Sequence, residues 1–237
     1  MKRRDLLTGL GLAVMDLEAQ QHVAESLYIP KPQLVEDRKL LHDFMDEYAF
    51  VELVTASPGV RITHVPVFLD RDAGQYGKIY GHISRQNAQS KSLDGQQTGV
   101  IVFRGPHSYI SPTWYAKTEV VPTWNFAVVH ATGRLKPIAG KDELHELLGK
   151  LIAKFEKHSK ASYDFAKLPM NYKYGLMAGI IGFEMEIELL EGKFKLGQER
   201  SETDRQGVLS NLQGAEQGRS MYQFTADFYK RSKPTSA

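Results

Sequence analysis

A chain of 237 residues with 42% hydrophobic and 24% charged residues has enough apolar surface to fold unaided, as one large domain or a domain with an appendage. It contains no cysteine, which excludes disulfides, thiolate metal sites and a cysteine nucleophile, and suits either side of a bacterial membrane. The net charge of +2 and a pI of about 8.6 are too mild to argue for nucleic acid, and no apolar run approaches the ~18 residues that span a bilayer.

Met1-Lys2-Arg3-Arg4-Asp5-Leu6-Leu7 opens like a twin-arginine export signal. The apolar stretch from Leu6 to Met15 is short, however, and stops at Asp16 and Glu18 without a small-residue cleavage site. Either the protein is exported, or Met15 is the true start and the protein is cytoplasmic; the cytoplasmic reading is the expectation. Tyr28-Ile29-Pro30-Lys31-Pro32 is an extended lead-in, because each proline pushes the residue before it out of the helical region. Leu41, Phe44, Met45 and Tyr48 form one stripe and predict a helix over Glu36 to Tyr48. Strands are expected at Phe50 to Thr55, Val60 to Leu69 and Lys78 to Ile83. Ser57-Pro58-Gly59 turns the first into the second, and Pro66 marks an edge or bulge. Ser84 to Leu93 reads as a polar helix, Gly99 to Arg104 as a buried strand and Val120 to Leu135 as a long one. Leu144, Leu147, Leu148, Leu151, Ile152 and Phe155 make Lys141 to His158 the clearest helix, and a second begins near Pro169. Phe183, Met185, Ile187 and Leu189 alternate with glutamates as a half-buried strand. Ser201 to Leu212 reads as helix; the polar tail beyond Gly214 has no readable structure. Many short strands without regular intervening helices argue for an antiparallel sheet or closed barrel, so the fold class is α+β, mainly β.

Four stretches concentrate residues able to do chemistry. They are Thr63-His64-Val65-Pro66, Gly81 to Asn87, Gly105 to Tyr115 with Val121 to Asn125 behind it, and Gly192 to Arg200. In the second, Ser84 and Arg85 stand where a strand meets a polar helix, whose unpaired N–H groups and dipole favour a phosphate. A capped helix with a solvated arginine accounts for the same spacing. The third is read as a functional loop whose Tyr109, Trp124 and Trp114 either stack on a flat ring or pack in a core or dimer. Lys193, Lys195 and Arg200 reach a phosphate or make a solvated turn. The 8 histidines lack zinc spacing, and there is no nucleophile elbow, Walker loop or dinucleotide fingerprint.

Taken together, these stretches resemble the PaiB family of FMN-binding split-barrel proteins, often described as negative transcriptional regulators. The matching pieces are Tyr28-Ile29-Pro30-Lys31, Thr63-His64-Val65-Pro66, Gly81-His82-Ile83-Ser84-Arg85-Gln86-Asn87, Phe103-Arg104-Gly105-Pro106-His107-Ser108-Tyr109-Ile110-Ser111-Pro112, Val121-Pro122-Thr123-Trp124-Asn125 and Gly192-Lys193-Phe194-Lys195-Leu196-Gly197-Gln198. The resemblance implies a six-stranded antiparallel split β-barrel with peripheral helices, placed over 27–213; the N-terminal extension over 1–26 departs from the family pattern, and 214–237 is left as a C-terminal tail. The resemblance also implies FMN held by His64, Ser84, Arg85, Asn87, Tyr109, Ser111, Trp124, Asn125, Lys195 and Gln198, and a homodimer with flavin at the subunit interface. Gly197 stands where the family more often has serine, so no hydroxyl role is carried over there. No helix-turn-helix is readable, so DNA as a partner has no visible motif behind it. The expectation is a flavin-binding regulator or sensor; the alternatives are a flavin-dependent oxidoreductase and a haem-binding barrel. No catalytic residue and no metal ligand is assigned.

Overall fold

The computed structural model describes residues 25–117, 119–157, 159–160, 163–215 and 218–231. The export-signal reading of Arg3-Arg4 therefore lies outside the described residues. The strands are β1 (Leu34–Val35), β2 (Phe50–Thr55), β3 (Arg61–Asp70), β4 (Lys78–Ser84), β5 (Thr98–Ile110), β6 (Thr123–Ile138), β7 (Ile180–Glu186) and β8 (Leu189–Lys195). Every pairing is antiparallel, in the order β6-β5-β2-β3-β4-β7, and β7 returns to pair with β6. Six strands thus close a barrel, while β8 and β1 extend the sheet beyond β6.

Closure depends on two strands that change partner midway. β3 pairs with β2 up to Pro66 and with β4 from Val67 onward, so the residue without an N–H donor stands at the switch. The edge expected at Pro66 is that switch. β6 pairs with β8 up to Thr132 and with β7 from Leu135, with Gly133 between. A Cβ at Gly133 would collide with the backbone carbonyl of Glu186, so only glycine lets β7 come this close.

Inside, alternate residues fill the barrel: Leu53, Ile79, Ile101, Phe103, Leu135, Phe183 and Met185 are fully buried. α1 (Arg38–Glu47) starts on Asp37, whose carboxylate accepts the Leu40 N–H, and its Leu41, Phe44 and Met45 enter this core. α2 (Lys141–Glu156) and α3 (Met170–Met177) build a second small core with Leu144, Leu147, Leu151 and Met177 against Phe68, Tyr80 and Ile180. They cover the outside of β4 and its neighbours and leave the outside of β2, β5, β6 and β8 without a helix from this pair. α4 (Glu202–Gly214), capped by Ser201, and α5 (Arg219–Arg231) close the other side.

Four expectations need correction. The polar segment after Ser84 is a turn and a five-residue 3-10 helix, Ala88–Ser92, rather than an α-helix. Asn87 and Gln89 divert it: Asn87 Nδ2 donates to Thr63 Oγ1, and the buried Gln89 donates to Leu53 O, Thr55 Oγ1 and Arg61 O. The stretch from Gly105 to Tyr109 is not a loop but the second half of β5, carried past its glycine and proline by a bulge between Arg104 and His107. The glutamate-alternating run is not one strand: β7 ends at Glu186, Glu188 N donates to Thr132 O, and Leu189 begins β8. Finally, the segment after Gly214 contains α5, whose Met221 and Thr225 are fully buried.

Candidate functional site

Because the barrel interior is packed, a cofactor must lie on its surface. The uncovered outer face is laid out in rows by strand register. One row runs Ile62, Val54, Val100, Thr132, Leu189. The next runs His64, Glu52, Val102, His130, Glu191. Beyond the bulge come His107, Phe126 and Lys195, and then Tyr109 with Trp124. Large apolar side chains stand in solvent here: Phe50 is 66% exposed, Ile62 57% and Trp124 53%.

Tyr109 and Trp124 meet edge to face at 6.0 Å, and His107 lies 6.2 Å from Trp124. Lys195 Nζ donates to Thr123 Oγ1 at 2.6 Å, which holds the ammonium beside these rings. Lys193 Nζ lies 5.4 Å from the centre of the Phe126 ring. Burial, and secondarily the charge of Lys195, push the Lys193 ammonium below the usual lysine range. Gln198 turns the chain after β8, donating to Phe194 O and accepting from Leu196 N. Ser111 caps the 3-10 turn Pro112–Trp114, and Asn125 is buried next to Trp124.

His64, Ser84, Arg85 and Asn87 stand elsewhere. His64 is on the outer face, 3.9 Å from Glu52 and stacked on Phe50. The N–H groups expected to be free at Ser84–Asn87 are taken. Arg85 N donates to Gly179 O, Gln86 N to Ser84 Oγ and Asn87 N to Ser84 O. Arg85 Nε and Nη2 donate to Ala178 O and Ile180 O, so Nη1 is the donor outside these bonds. Asn87 is bonded to Thr63, which pairs with Leu53, itself opposite Ile101. Tyr109 is roughly 20 Å or more further along β5 at a strand's rise per residue. One chain therefore brings Tyr109, Ser111, Trp124, Asn125, Lys195 and Gln198 to one end of the barrel, and leaves Ser84, Arg85 and Asn87 at the other.

Sequence reasoning passed over Glu52 and Phe126, and carried Arg104 and His107 only inside a matching stretch, with no site role of their own. Arg104 and Glu52 are ion-paired on the outer face, and Glu52 Oε2 is buried with no hydrogen-bond partner among the described residues. Alternation along β2, β5 and β6 marks Glu52, Arg104 and Phe126 as outward, whereas the bulge between Arg104 and His107 is what turns His107 to the same face, and the register joins His107 and Phe126 to Trp124.

Residues 27–189 match the family described as "Putative FMN-binding domain". The chain belongs to this FMN-binding split-barrel family, the PaiB family. It is 35% identical over 191 residues to Protease synthase and sporulation protein PAI 2 of Bacillus subtilis, covering 80% of this chain and 91% of that one. It is also 30% identical over 191 residues to Uncharacterized protein AN0679 of Emericella nidulans, covering 66% of this chain and 76% of that one. Among solved structures, the Flavocytochrome Anf3 from Azotobacter vinelandii aligns with a TM-score of 0.53 at 16% identity, covering 73% of this chain and 74% of that one. The FAD and Heme binding protein from Mycobacterium smegmatis aligns with a TM-score of 0.50 at 12% identity, covering 73% and 78%. At those identities the likeness shows the fold, which is the split barrel.

The donor set fits FMN, the cofactor of the domain. Exposed rings at Tyr109, Trp124 and His107 offer a surface for a planar ring system, and Lys193 and Lys195 offer positive charge for a phosphate. No helix among the described residues is long and apolar enough to cross a membrane.

Proposed function

We propose that the protein is a homodimeric, cytoplasmic flavin sensor or regulator, in which FMN is bound between the aromatic–lysine end of one barrel and the Ser84–Arg85–Asn87 end of the other. The observation that carries this reading is the separation of the two groups within one chain. A single protomer cannot put both against one small ligand, whereas a two-fold pairing of outer faces supplies each group from a different copy. The exposed Phe50, Ile62 and Trp124 give that pairing an apolar centre. Bound FMN supplies reversible redox and light-absorbing chemistry. The chain's part is to stack on the ring, neutralise the phosphate and exclude water. The regulatory element rests on the family resemblance and on the sporulation role in the name of the Bacillus relative.

The deciding experiment is an absorbance spectrum after adding FMN and desalting, with sedimentation on the same sample. Retained flavin bands and a dimer are expected. Arg85→Ala is expected to lower FMN affinity about tenfold or more, as loss of a charged phosphate contact does, and to leave the dimer in place. A concentration-independent monomer that still retains FMN would overturn the shared site. Reduction of bound FMN by NADH or NADPH faster than free FMN would replace the sensor with an oxidoreductase. A mature N-terminus beyond about residue 20 in native protein would overturn the cytoplasmic assignment.

A further inference from the structure

The lead-in Ser26-Leu27-Tyr28 precedes every described strand and helix, yet it is pinned to the outer face of β6 and β8. Glu191, on β8, is only 6% exposed, and its carboxylate is met by three donors from the lead-in. Ser26 N donates to Oε2 at 3.0 Å, Leu27 N to Oε1 at 3.3 Å, and Ser26 Oγ to Oε2 at 2.7 Å. Bonds from a carboxylate to N–H and O–H donors are among the stronger ones, and a covered carboxylate needs them. Ser26 Oγ has a single proton and places it on Glu191. His130 Nδ1, 2.9 Å from the same oxygen, is therefore a donor to it, which ties the lead-in to β6 as well.

These pins set Tyr28 at the border of the aromatic–lysine end. Lys193 Nζ donates to Tyr28 O at 2.8 Å, and lies 5.5 Å from the centre of the Tyr28 ring and 5.4 Å from that of Phe126. The two rings thus flank one ammonium, their centres at most 10.9 Å apart, the sum of those two distances. Phe126 stands opposite both His107 and Lys195, one step along β6 from Trp124 and Tyr109. The backbone at Tyr28 is held on both sides, by Glu191 before it and by Pro30, with its fixed φ, after it. The Tyr28 side chain is nevertheless 81% exposed. A large ring on a backbone already fixed offers contact area to a ligand at little cost in ordering.

We propose that Ser26–Tyr28 is a strap that walls the flavin site, with Glu191 as its positioning residue and Tyr28 as a ring that packs on bound FMN. This inference rests on the flavin reading of the outer face and adds to it a wall contributed by residues ahead of the barrel.

The test loads the full chain with FMN, desalts it and follows release on dilution by the recovery of flavin fluorescence, with sedimentation and melting curves on the same samples. Tyr28→Ala is expected to release FMN about tenfold faster, and Tyr28→Phe at the parent rate, since the ring and not the hydroxyl makes the contact. Glu191→Gln keeps the shape but loses the charge and one acceptor. It is expected to speed release to a similar degree and to raise hydrogen exchange at the Ser26 and Leu27 amides, which are protected in the parent. The dimer and the melting curve are expected to be unchanged in Tyr28→Ala, at an exposed position, so this variant carries the test even where Glu191→Gln unfolds. Release at the parent rate in Tyr28→Ala overturns the wall and leaves the flavin reading standing. Tyr28→Phe as fast as Tyr28→Ala overturns the ring contact. Unprotected Ser26 and Leu27 amides in the FMN-loaded parent overturn the strap. Faster release that comes only with dissociation to monomer makes Tyr28 a subunit contact and overturns its flavin role. A parent that retains no FMN removes the flavin reading, and the wall with it.

Discussion

At the scale of single residues, the structure separates what a side chain is from what it is doing. Arg85 has the chemistry of a phosphate ligand, yet its Nε and Nη2 tie the end of β4 to the α3–β7 junction through Ala178 O and Ile180 O. Its replacement by alanine should therefore cost stability, by about 1–2 kcal/mol in urea denaturation, besides weakening FMN. Arg85→Lys should recover part of the flavin affinity and little of the stability, since an ammonium cannot reproduce the two-carbonyl fork. Gly133 is the opposite case, a residue with no chemistry on which barrel closure depends. Gly133→Ala is expected to destabilise by about 2–3 kcal/mol, because the added methyl meets the Glu186 carbonyl, which is fixed backbone and cannot turn aside. A urea midpoint unchanged from the parent would show that the strands have room to separate there.

At the scale of elements, periodicity was a dependable guide wherever one face is buried. α1, α2, β2 and β4 lie within a few residues of their expected bounds, because Leu41, Phe44 and Met45, or Leu144, Leu147 and Leu151, meet a core at the period of their own backbone. Failures came where contacts distant in sequence decide. β5 runs on through Gly105 and Pro106 because β6 pairs with both of its halves across the bulge. α5 was illegible because its buried side is sparse, with Met221 and Thr225, and its aromatic residues join rings from α1 and β8. Two changes test these elements. Met221→Ala should cost about 2–3 kcal/mol, the loss for a fully buried methionine, and a cost under 0.5 kcal/mol would mean that α5 is only loosely docked. Ser201→Ala, which removes the oxygen that accepts the Asp204 N–H at the start of α4, should cost about 1 kcal/mol by thermal melting.

At the scale of the whole molecule, pH and association carry the predictions. Burial pushes both His82 and His130 below the ordinary histidine pKa; for His130, Glu191 and Glu52 oppose the shift without cancelling it. The unfolded chain then takes up protons near pH 6.5 that the folded one still refuses, so stability is fully present above that pH and falls as pH drops through it. A lower urea midpoint at pH 5.5 than at pH 7.5 is expected, with the difference reduced in the His82→Gln, His130→Gln double variant. A midpoint that rises on acidification would reverse the sign. The outer face should also respond as an interface: Ile62→Lys, on its apolar row, is expected to shift sedimentation toward monomer and to lower FMN retention together.

The six motifs carried by the sequence pointed, by resemblance, to the family and its flavin before any coordinate, and the match over residues 27–189 bears that out. Hydrophobic periodicity likewise settled most helices and strands, since each meets the core at its own period. Tertiary structure alone decided that Pro66 and Gly133 are the hinges where β3 and β6 change partner, and that Arg85 and Lys195 stand at opposite ends of one barrel. The physical reason is that register and closure are properties of strand pairs. They are set by hydrogen bonds between segments far apart in the chain, and no window of sequence contains both partners.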